Sequence, residues 1–331
     1  MLIRGGFVDL QVNGFLGFDF SSPQLTMDDI RAVTRGLVER GTGAYCPTVI
    51  TSPEETYRRN LPLLAAAMRE PDMRGRLLGI HLEGPFISPQ DGARGAHARE
   101  HVRKPDVGFF DELQRLAEGN VVLLTVAPEV EGALDLIRHV VSRRPRVSVG
   151  IGHSLASRKH IAAAVEAGAR FSTHLGNGIP SSINRHDNPV WPQMAEDRLS
   201  AFLITDGHHL PDDFIKVALR AKGVSRCIVT SDSASVGGLP AGEYESLGQK
   251  VVLEPSGKLR CADSEYLAGS SACMLQCMNR VASLGVLKPK ELARIGRGNP
   301  LELIGAGGSK SLPKTPVVKL DGREFSVSRT G

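Results

Sequence analysis

The chain has 331 residues, of which 41% are hydrophobic and 5% aromatic, and its formal net charge is +4. This length suffices for one large α/β barrel or for two ordinary domains. The basic residues are spread along the chain without a Lys/Arg block, which disfavours a nucleic-acid surface. The weak positive excess would suit a small anionic substrate.

Five cysteines, an odd number in a large chain, argue against a disulfide framework and for a reducing compartment. The first residues, MLIRGGFVDL, lack the apolar core of a signal peptide. No apolar run is long enough to span a membrane. We therefore expect a cytoplasmic protein.

Short apolar runs alternate with helical patterns along most of the chain, which predicts a strand–helix repeat. The runs that predict strands are GGFVDLQV, GAYCPTVI, RLLGIHLE, NVVLLTVAP, RVSVGIGH, ARFSTH, LSAFLITD and RCIVTSD. Helices are predicted over residues 28–40, 54–69, 106–117, 131–142, 157–167 and 212–221.

The pattern changes after the eighth run. Residues 242–263 alternate in polarity around a Pro-Ser-Gly turn and predict a β-hairpin insertion. The stretch YLAGSSACMLQCMNRVASLG predicts a long helix, and KPKELARIG and NPLELIG predict short ones. In the tail, Asp-Gly between two apolar runs predicts another hairpin. We therefore assign residues 6–310 to a barrel with a hairpin insertion, and 311–331 to the C-terminal hairpin of a small accessory β-subdomain.

Eight strands separated by helices predict an α/β fold, a (β/α)8 barrel of the TIM type, with a doubly wound open sheet as the alternative. The polar residues favour the barrel, because all strand ends meet at one mouth there, whereas in an open sheet they form a line. The strand-end groups able to do chemistry are Gln11, Asn13, Glu83, His153, His174, Asp206 and Asp232.

Three of these residues, Glu83, His153 and His174, form a suitable ligand set for a catalytic zinc ion with one position open to water. Water on such an ion is acidic enough to supply hydroxide near neutral pH. Asp232 would face the same mouth and could pass the proton of that water to a leaving amine. Each residue alone is more often structural, but the set predicts a metal-assisted hydrolase.

Six motifs occur in the order and approximate spacing of one enzyme family: HLEGPFISPQDGARGAH, GHSLAS, THLGNG, TDGHHL, VTSDSAS and LAGSS. The chain resembles the N-acetylglucosamine-6-phosphate deacetylase family of the amidohydrolase superfamily, from GFVDLQVNG to NPLELIG. The resemblance implies an enzyme of amino-sugar metabolism that removes the N-acetyl group from an amino-sugar phosphate, such as N-acetylglucosamine 6-phosphate. The products would be the free amino-sugar phosphate and acetate.

The resemblance also implies roles for single residues. Glu83, His153 and His174 match the metal ligands. Asp232 matches the catalytic acid/base, and His97 of the GAH motif matches the histidine that helps to polarise the acetyl carbonyl.

Substrate-binding residues are implied in the same way. Asn177 and Gly178 match groups that meet the sugar phosphate, and His209 matches a further substrate-contacting histidine. Arg185 falls where the family places an arginine that reaches the substrate of a neighbouring subunit, which implies a homodimer. The alternative hypothesis is that Arg185 is an ordinary solvent-exposed arginine in a loop.

The first strand carries Gln11 and Asn13 where many two-metal members of the superfamily have His-x-His. Neutral carboxamides are poor transition-metal ligands. We therefore predict one divalent ion, Zn2+ in preference to Fe2+, Co2+ or Mn2+, and assign Gln11 and Asn13 to substrate binding.

Departures from the family pattern leave the identity of the preferred sugar undecided. Little sequence precedes GFVDLQVNG, so we expect a reduced accessory subdomain built from the strands at 243–261 and the C-terminal hairpin. THLGNG replaces the bulkier THLFNAM, so Gly176 and Gly178 would widen the sugar wall. The alternatives are an amidohydrolase for N-acetylgalactosamine 6-phosphate or another N-acyl substrate, and a non-catalytic sugar-phosphate sensor, against which the presence of Asp232 argues.

Overall fold

The structure, a computed structural model, describes residues 1–143, 146–246, 249–263, 267–309 and 312–328. These residues form sixteen strands: β1 (Leu2–Arg4), β2 (Phe7–Val12), β3 (Gly14–Phe15), β4 (Phe18–Asp19), β5 (Thr42–Ile50), β6 (Ile80–Glu83), β7 (Val121–Val126), β8 (Ser148–Ile151), β9 (Phe171–Ser172), β10 (Ser200–Ile204), β11 (Cys227–Thr230), β12 (Gly242–Ser246), β13 (Gln249–Leu253), β14 (Leu259–Cys261), β15 (Val317–Asp321) and β16 (Glu324–Val327). They also form ten α-helices: α1 (Met27–Glu39), α2 (Glu54–Ala67), α3 (Val107–Leu116), α4 (Ala133–Ser142), α5 (Arg158–Ala167), α6 (Val190–Ala195), α7 (Asp212–Lys222), α8 (Met274–Ser283), α9 (Pro289–Ala293) and α10 (Asn299–Leu303).

A parallel eight-stranded sheet carries the fold, in the order β2, β5, β6, β7, β8, β9, β10 and β11. The sheet closes on itself, because Val12 bridges Ser233 in parallel and the Asn13 amide donates to the Ser233 carbonyl at 2.8 Å. The predicted (β/α)8 barrel is therefore confirmed, and the open sheet is wrong.

The apolar runs become barrel strands because helices cover their outer face while side chains fill the interior. All nine residues of β5 are buried. Helix α1 shows the complementary pattern, with Ile30, Val33 and Leu37 buried along one face. None of the described helices is long and apolar enough to cross a membrane.

The structure differs from the sequence prediction in some local features. The helix predicted within residues 266–285 begins only at Met274, because Ser270 instead bridges Ser233 and extends the barrel rim. The short helix α6 was not predicted, since two prolines flank or interrupt it. Helices α9 and α10 are joined by a π-helical turn over Arg294–Gly298.

Three small sheets lie outside the barrel, and the smallest is the two-stranded antiparallel pair of β3 and β4. The C-terminal hairpin of β15 and β16 pairs with β1, with Leu2 opposite Lys319. The insertion forms its own sheet of β12, β13 and β14. The hairpin is thus completed by the N-terminal strand and not by the insertion. The proposed boundary between 310 and 311 lies outside the described residues and stays a prediction.

Candidate active site

The barrel mouth brings Glu83, His153 and His174 into contact, although 70 and 91 residues separate the two histidines from the glutamate. Glu83 Oε1 lies 2.9 Å from His174 Nε2 and 3.2 Å from His153 Nε2, and the two nitrogens are 3.1 Å apart. All three residues are buried. The sequence prediction that these side chains converge is therefore met by the geometry.

His97 adds a fourth donor to this group, which we call the ligand cluster (Glu83, His97, His153 and His174). The loop after β6 delivers His97, and its Nε2 atom lies 3.2 Å from His153 Nε2. One ligand atom each from Glu83, His97 and His153 lies within 4.8 Å of the others. His97 is thus close enough to act as a further ligand or on a substrate bound there.

The ligand cluster fits a divalent metal ion. Donor atoms about 2.0–2.1 Å from a tetrahedral zinc ion stand about 3.3 Å apart. The observed separations among Glu83, His153 and His174 are 2.9–3.2 Å. Imidazole nitrogens and a carboxylate oxygen are donors that transition metals such as zinc prefer. The cluster therefore has the donor atoms and the spacing to hold a divalent metal ion.

Hydrogen bonds on the far side of the rings fix which nitrogen faces the cluster. His153 Nδ1 donates to the Ala93 carbonyl at 3.0 Å, which leaves the Nε2 lone pair for an ion. His97 Nδ1 lies 2.9 Å from the Thr51 hydroxyl. Nδ1 of His174 is buried and has no hydrogen-bond partner among the described residues.

Gln11 and Asn13 hold the two carboxylates of the site. Gln11 Nε2 donates to Glu83 Oε1 at 2.7 Å, and Asn13 Nδ2 donates to Asp232 Oδ1 at 2.8 Å. The two carboxamides therefore orient acidic side chains, which agrees with the argument that they are not metal ligands. Their predicted contacts with substrate stay predictions.

The electrostatics of the two carboxylates differ. Burial would raise the pKa of Glu83, but hydrogen bonds from His153 and His174 hold it well below its ordinary value. For Asp232, burial and the neighbouring Glu83 carboxylate raise the pKa. His97 has a pKa well below its ordinary value because it is buried beside His153. Two neighbouring carboxyl groups whose pKa values are shifted in opposite directions are common in active sites.

The backbone turns sharply at three site residues. His153, His174 and Asp232 each lie two residues beyond a barrel strand and have positive φ angles of 48°, 31° and 50°. Non-glycine residues rarely adopt this conformation, which costs about 1–3 kcal/mol at each position. This strain places each side chain at the barrel mouth.

The segment after His174 packs directly on the histidine rings. The Asn177 amide and side chain donate to the His174 carbonyl at 2.9 and 3.3 Å. A Cβ atom at Gly178 would lie 3.0 Å from His153 Nδ1. A Cβ atom at Gly176 would meet Phe214 at 2.9 Å, so the Phe214 side chain fills the space beside Gly176. The expected widening of the sugar wall stays a prediction.

His209 and Arg185 are placed differently. His209 Nδ1 lies 2.7 Å from Asp206 Oδ2, and both side chains are nearly buried. Burial alone would raise the pKa of Asp206, but the His209 ring and the backbone amides of His208 and His209 together lower it to about 2. Arg185 is exposed outside the ligand cluster, and its backbone carbonyl accepts a hydrogen bond from Trp191 Nε1 at 3.1 Å.

Sequence reasoning missed two supporting residues. Thr51, directly after β5, contacts His97 and also lines a cavity of about 620 Å³. Glu129 accepts hydrogen bonds from Ser154 Oγ and the Leu155 amide, both at 2.6 Å, and so holds the loop that carries His153. The only available signal was a polar residue shortly after each strand.

Comparisons with known proteins agree with this geometry. The amidohydrolase family profile matches residues 3–306. The N-acetylglucosamine-6-phosphate deacetylase of Homo sapiens is 32% identical over 320 residues, which cover 93% of this chain and 76% of that protein. The N-acetylgalactosamine-6-phosphate deacetylase of Escherichia coli O157:H7 is 30% identical over 329 residues, which cover 97% and 84%. A mutant N-acetyl-D-glucosamine-6-phosphate deacetylase from Mycobacterium smegmatis, solved in complex with N-acetyl-D-glucosamine-6-phosphate, superposes with a TM-score of 0.87 at 28% identity, covering 99% of this chain and 85% of that chain.

Proposed function

This chain belongs to the amidohydrolase family, and on that premise we propose that it removes the N-acetyl group from an amino-sugar phosphate, with N-acetylglucosamine 6-phosphate as its substrate. The observation that carries the proposal is the buried cluster of Glu83, His153 and His174 beside Asp232. The deacetylase activity of the relatives supports the choice of reaction, and the sugar phosphate bound to one of them supports the substrate class.

We infer that one zinc ion per chain is held by Glu83, His153 and His174. When bound, such an ion polarises an amide carbonyl and makes a water molecule more acidic. A single ion is proposed because Gln11 and Asn13 donate to carboxylates and offer no imidazole for a second one.

Asp232 is the proposed proton carrier. Its carboxylate takes a proton from the attacking water and delivers that proton to the amide nitrogen, so the leaving group departs as a neutral amine. Asn13 holds Oδ1 of Asp232, and the transfer therefore falls to Oδ2. The raised pKa of Asp232, caused by burial and by Glu83, favours this exchange of protons.

His97 is proposed to stabilise the acyl oxygen. With the Thr51 hydroxyl donating to Nδ1, the proton of His97 resides on Nε2 and points toward the cluster. A hydrogen bond from Nε2 to the acyl oxygen strengthens as negative charge grows on that oxygen.

The sugar phosphate is proposed to contact Asn177, Gly178 and His209, with Arg185 supplied by the partner subunit of a homodimer. The exposed position of Arg185 supports this, because its side chain is available to a second copy. Trp191 is 49% exposed and hydrogen-bonded to the Arg185 carbonyl, which adds apolar surface for such a contact. We also propose a cytoplasmic location, which the five free cysteines support.

The proposal is tested by acetate release from the zinc-loaded protein. The panel contains N-acetylglucosamine 6-phosphate, N-acetylgalactosamine 6-phosphate and unphosphorylated N-acetylglucosamine. We expect acetate from a phosphorylated sugar and little from the unphosphorylated one. Faster turnover of N-acetylgalactosamine 6-phosphate would favour the second candidate, which the Escherichia coli relative suggests. No acetate from any compound, with the metal retained, would overturn the proposed reaction.

A further inference from the structure

A polar network crosses the barrel interior beneath the ligand cluster. His81 Nε2 lies 2.8 Å from the Thr125 hydroxyl, which lies 2.8 Å from the Thr173 hydroxyl. His81 Nδ1 lies 3.1 Å from the Leu10 carbonyl. His81, Thr125 and Thr173, which we call the floor network, are at most 2% exposed. Burying a polar group costs free energy unless the group forms hydrogen bonds. The polar side-chain atoms of the floor network do form them.

The floor network touches the strand ends that carry the metal-site residues. His81 precedes Glu83 by two residues on β6, so both side chains point to the same side of the strand. Thr125 is the register partner of Glu83 on β7. Thr173 immediately precedes His174.

The same network also supports His153. A Cβ atom at Gly152, the residue before His153, would lie 2.7 Å from Thr173 Cβ and 2.8 Å from Thr125 Cγ2. The two threonine side chains thus occupy the space beside Gly152 and fix the path of the backbone into His153. The floor network therefore supports all three residues of the metal site from one side.

The hydrogen bonds in this network can run in only one direction. A carbonyl oxygen only accepts, so His81 Nδ1 must carry a proton and donate to Leu10. In a neutral ring whose proton is on Nδ1, Nε2 has only a lone pair and can only accept. Nε2 therefore accepts from the Thr125 hydroxyl, which in turn accepts from the Thr173 hydroxyl.

We propose that His81, Thr125 and Thr173 are positioning residues that hold Glu83, His153 and His174 in a geometry competent for catalysis. In the floor network, His81 is neutral with its proton on Nδ1, and each hydroxyl donates toward it. The expected effect of these three residues on turnover rests on the proposed function. The position of the proton on His81 does not.

The first test replaces the central hydroxyl. Thr125→Val keeps the side-chain shape but removes the hydroxyl, whereas Thr125→Ser keeps the hydroxyl. Partners behind metal ligands typically change activity by about 10–100-fold. We expect Thr125→Val to lower kcat within that range with KM changed less than about twofold, and Thr125→Ser to recover most of it. Thr34→Val removes a buried threonine hydroxyl on helix α1, which lies 2.9 Å from the Tyr45 hydroxyl and outside the floor network. It serves as the matched control, with near wild-type kcat expected.

The second test measures the proton order directly. In protein labelled with 15N-histidine, the His81 ring is assigned by its loss in His81→Asn, and we expect a protonated Nδ1 with an unprotonated Nε2. A ring protonated on Nε2 at pH 7 would overturn the inference, as would an unchanged kcat in Thr125→Val while the wild type is active. If the wild type releases no acetate at all, the proposed function fails, and the NMR result still decides the proton order.

Discussion

Asp9 is a fully buried carboxylate on β2, and replacing it with asparagine tests the electrostatics of the barrel interior. It accepts hydrogen bonds from the Thr230 hydroxyl at 2.7 Å and from the Ser231 amide at 3.1 Å. Burial outweighs these bonds and raises the pKa of Asp9 to about 6. The thiols of Cys46 and Cys277 interact with Asp9, but burial raises the pKa of both, so they stay neutral between pH 5 and 7.

The magnitude follows from the two pKa values of Asp9, 3.8 when unfolded and about 6 when folded. The folded chain binds this proton more tightly, so the contribution of Asp9 to stability improves as the pH falls through 6 toward 3.8. Relative to the unfolded chain, ionised Asp9 lowers the free energy of unfolding by about 3 kcal/mol at pH 7 and about 2 kcal/mol at pH 5. When the pH falls from 7 to 5, the free energy of unfolding of the wild type should therefore rise by about 1 kcal/mol relative to that of Asp9→Asn.

The assay is urea-induced unfolding of the metal-free wild type and Asp9→Asn at pH 7 and pH 5. Subtracting the free energy of unfolding of Asp9→Asn from that of the wild type removes the pH dependence that all other groups contribute. Asp135→Asn is the control, because the Asp135 side chain is 82% exposed and the variant should follow the wild type. A difference between wild type and Asp9→Asn that is the same at both pH values would refute the burial argument.

Four further outcomes are expected. Asp232→Asn should retain the metal, by elemental analysis, yet lose most of the acetate release, since it cannot carry a proton. Glu129→Gln should weaken metal affinity by about 10–100-fold in a chelator competition, because the loop carrying His153 loses a charged acceptor. Thr51→Val should lower kcat by about tenfold or more, and Thr51→Ser should not, because the buried Nδ1 of His97 loses its partner. Removal of the metal by chelation should abolish acetate release, and added Zn2+ should restore it; activity that survives chelation would contradict a metal-dependent reaction.

The strands and the convergence of three polar strand-end residues could be predicted from the sequence because a parallel barrel follows simple rules. Each strand is an apolar run between helices, and all the runs end at one mouth. Glu83, His153 and His174 could therefore be expected near one another although no local pattern links them. The helix predicted at residue 54 does begin at Glu54, and Glu54 and Glu55 place negative charge in its first turn, which favours a helix start.

The rest depends on contacts between segments that the sequence does not pair. Strand β1 could not be predicted from local sequence, because it forms by pairing with β15 near Lys319, more than 300 residues away. The Ala93 carbonyl that orients His153 is a backbone atom, so its side chain gives no signal. Thr51 and Thr125 look like ordinary strand threonines until the fold places a histidine beside each hydroxyl.

The left-handed backbone at His153, His174 and Asp232 has a consequence for directed evolution. Glycine would occupy those three positions without steric penalty, so the fold gains resistance to heat when the reactive side chains are lost. A library screened for heat tolerance alone should accumulate glycine there and yield inert barrels. Screens that alternate heat challenge with a turnover assay should instead keep all three residues and find their stabilising changes elsewhere.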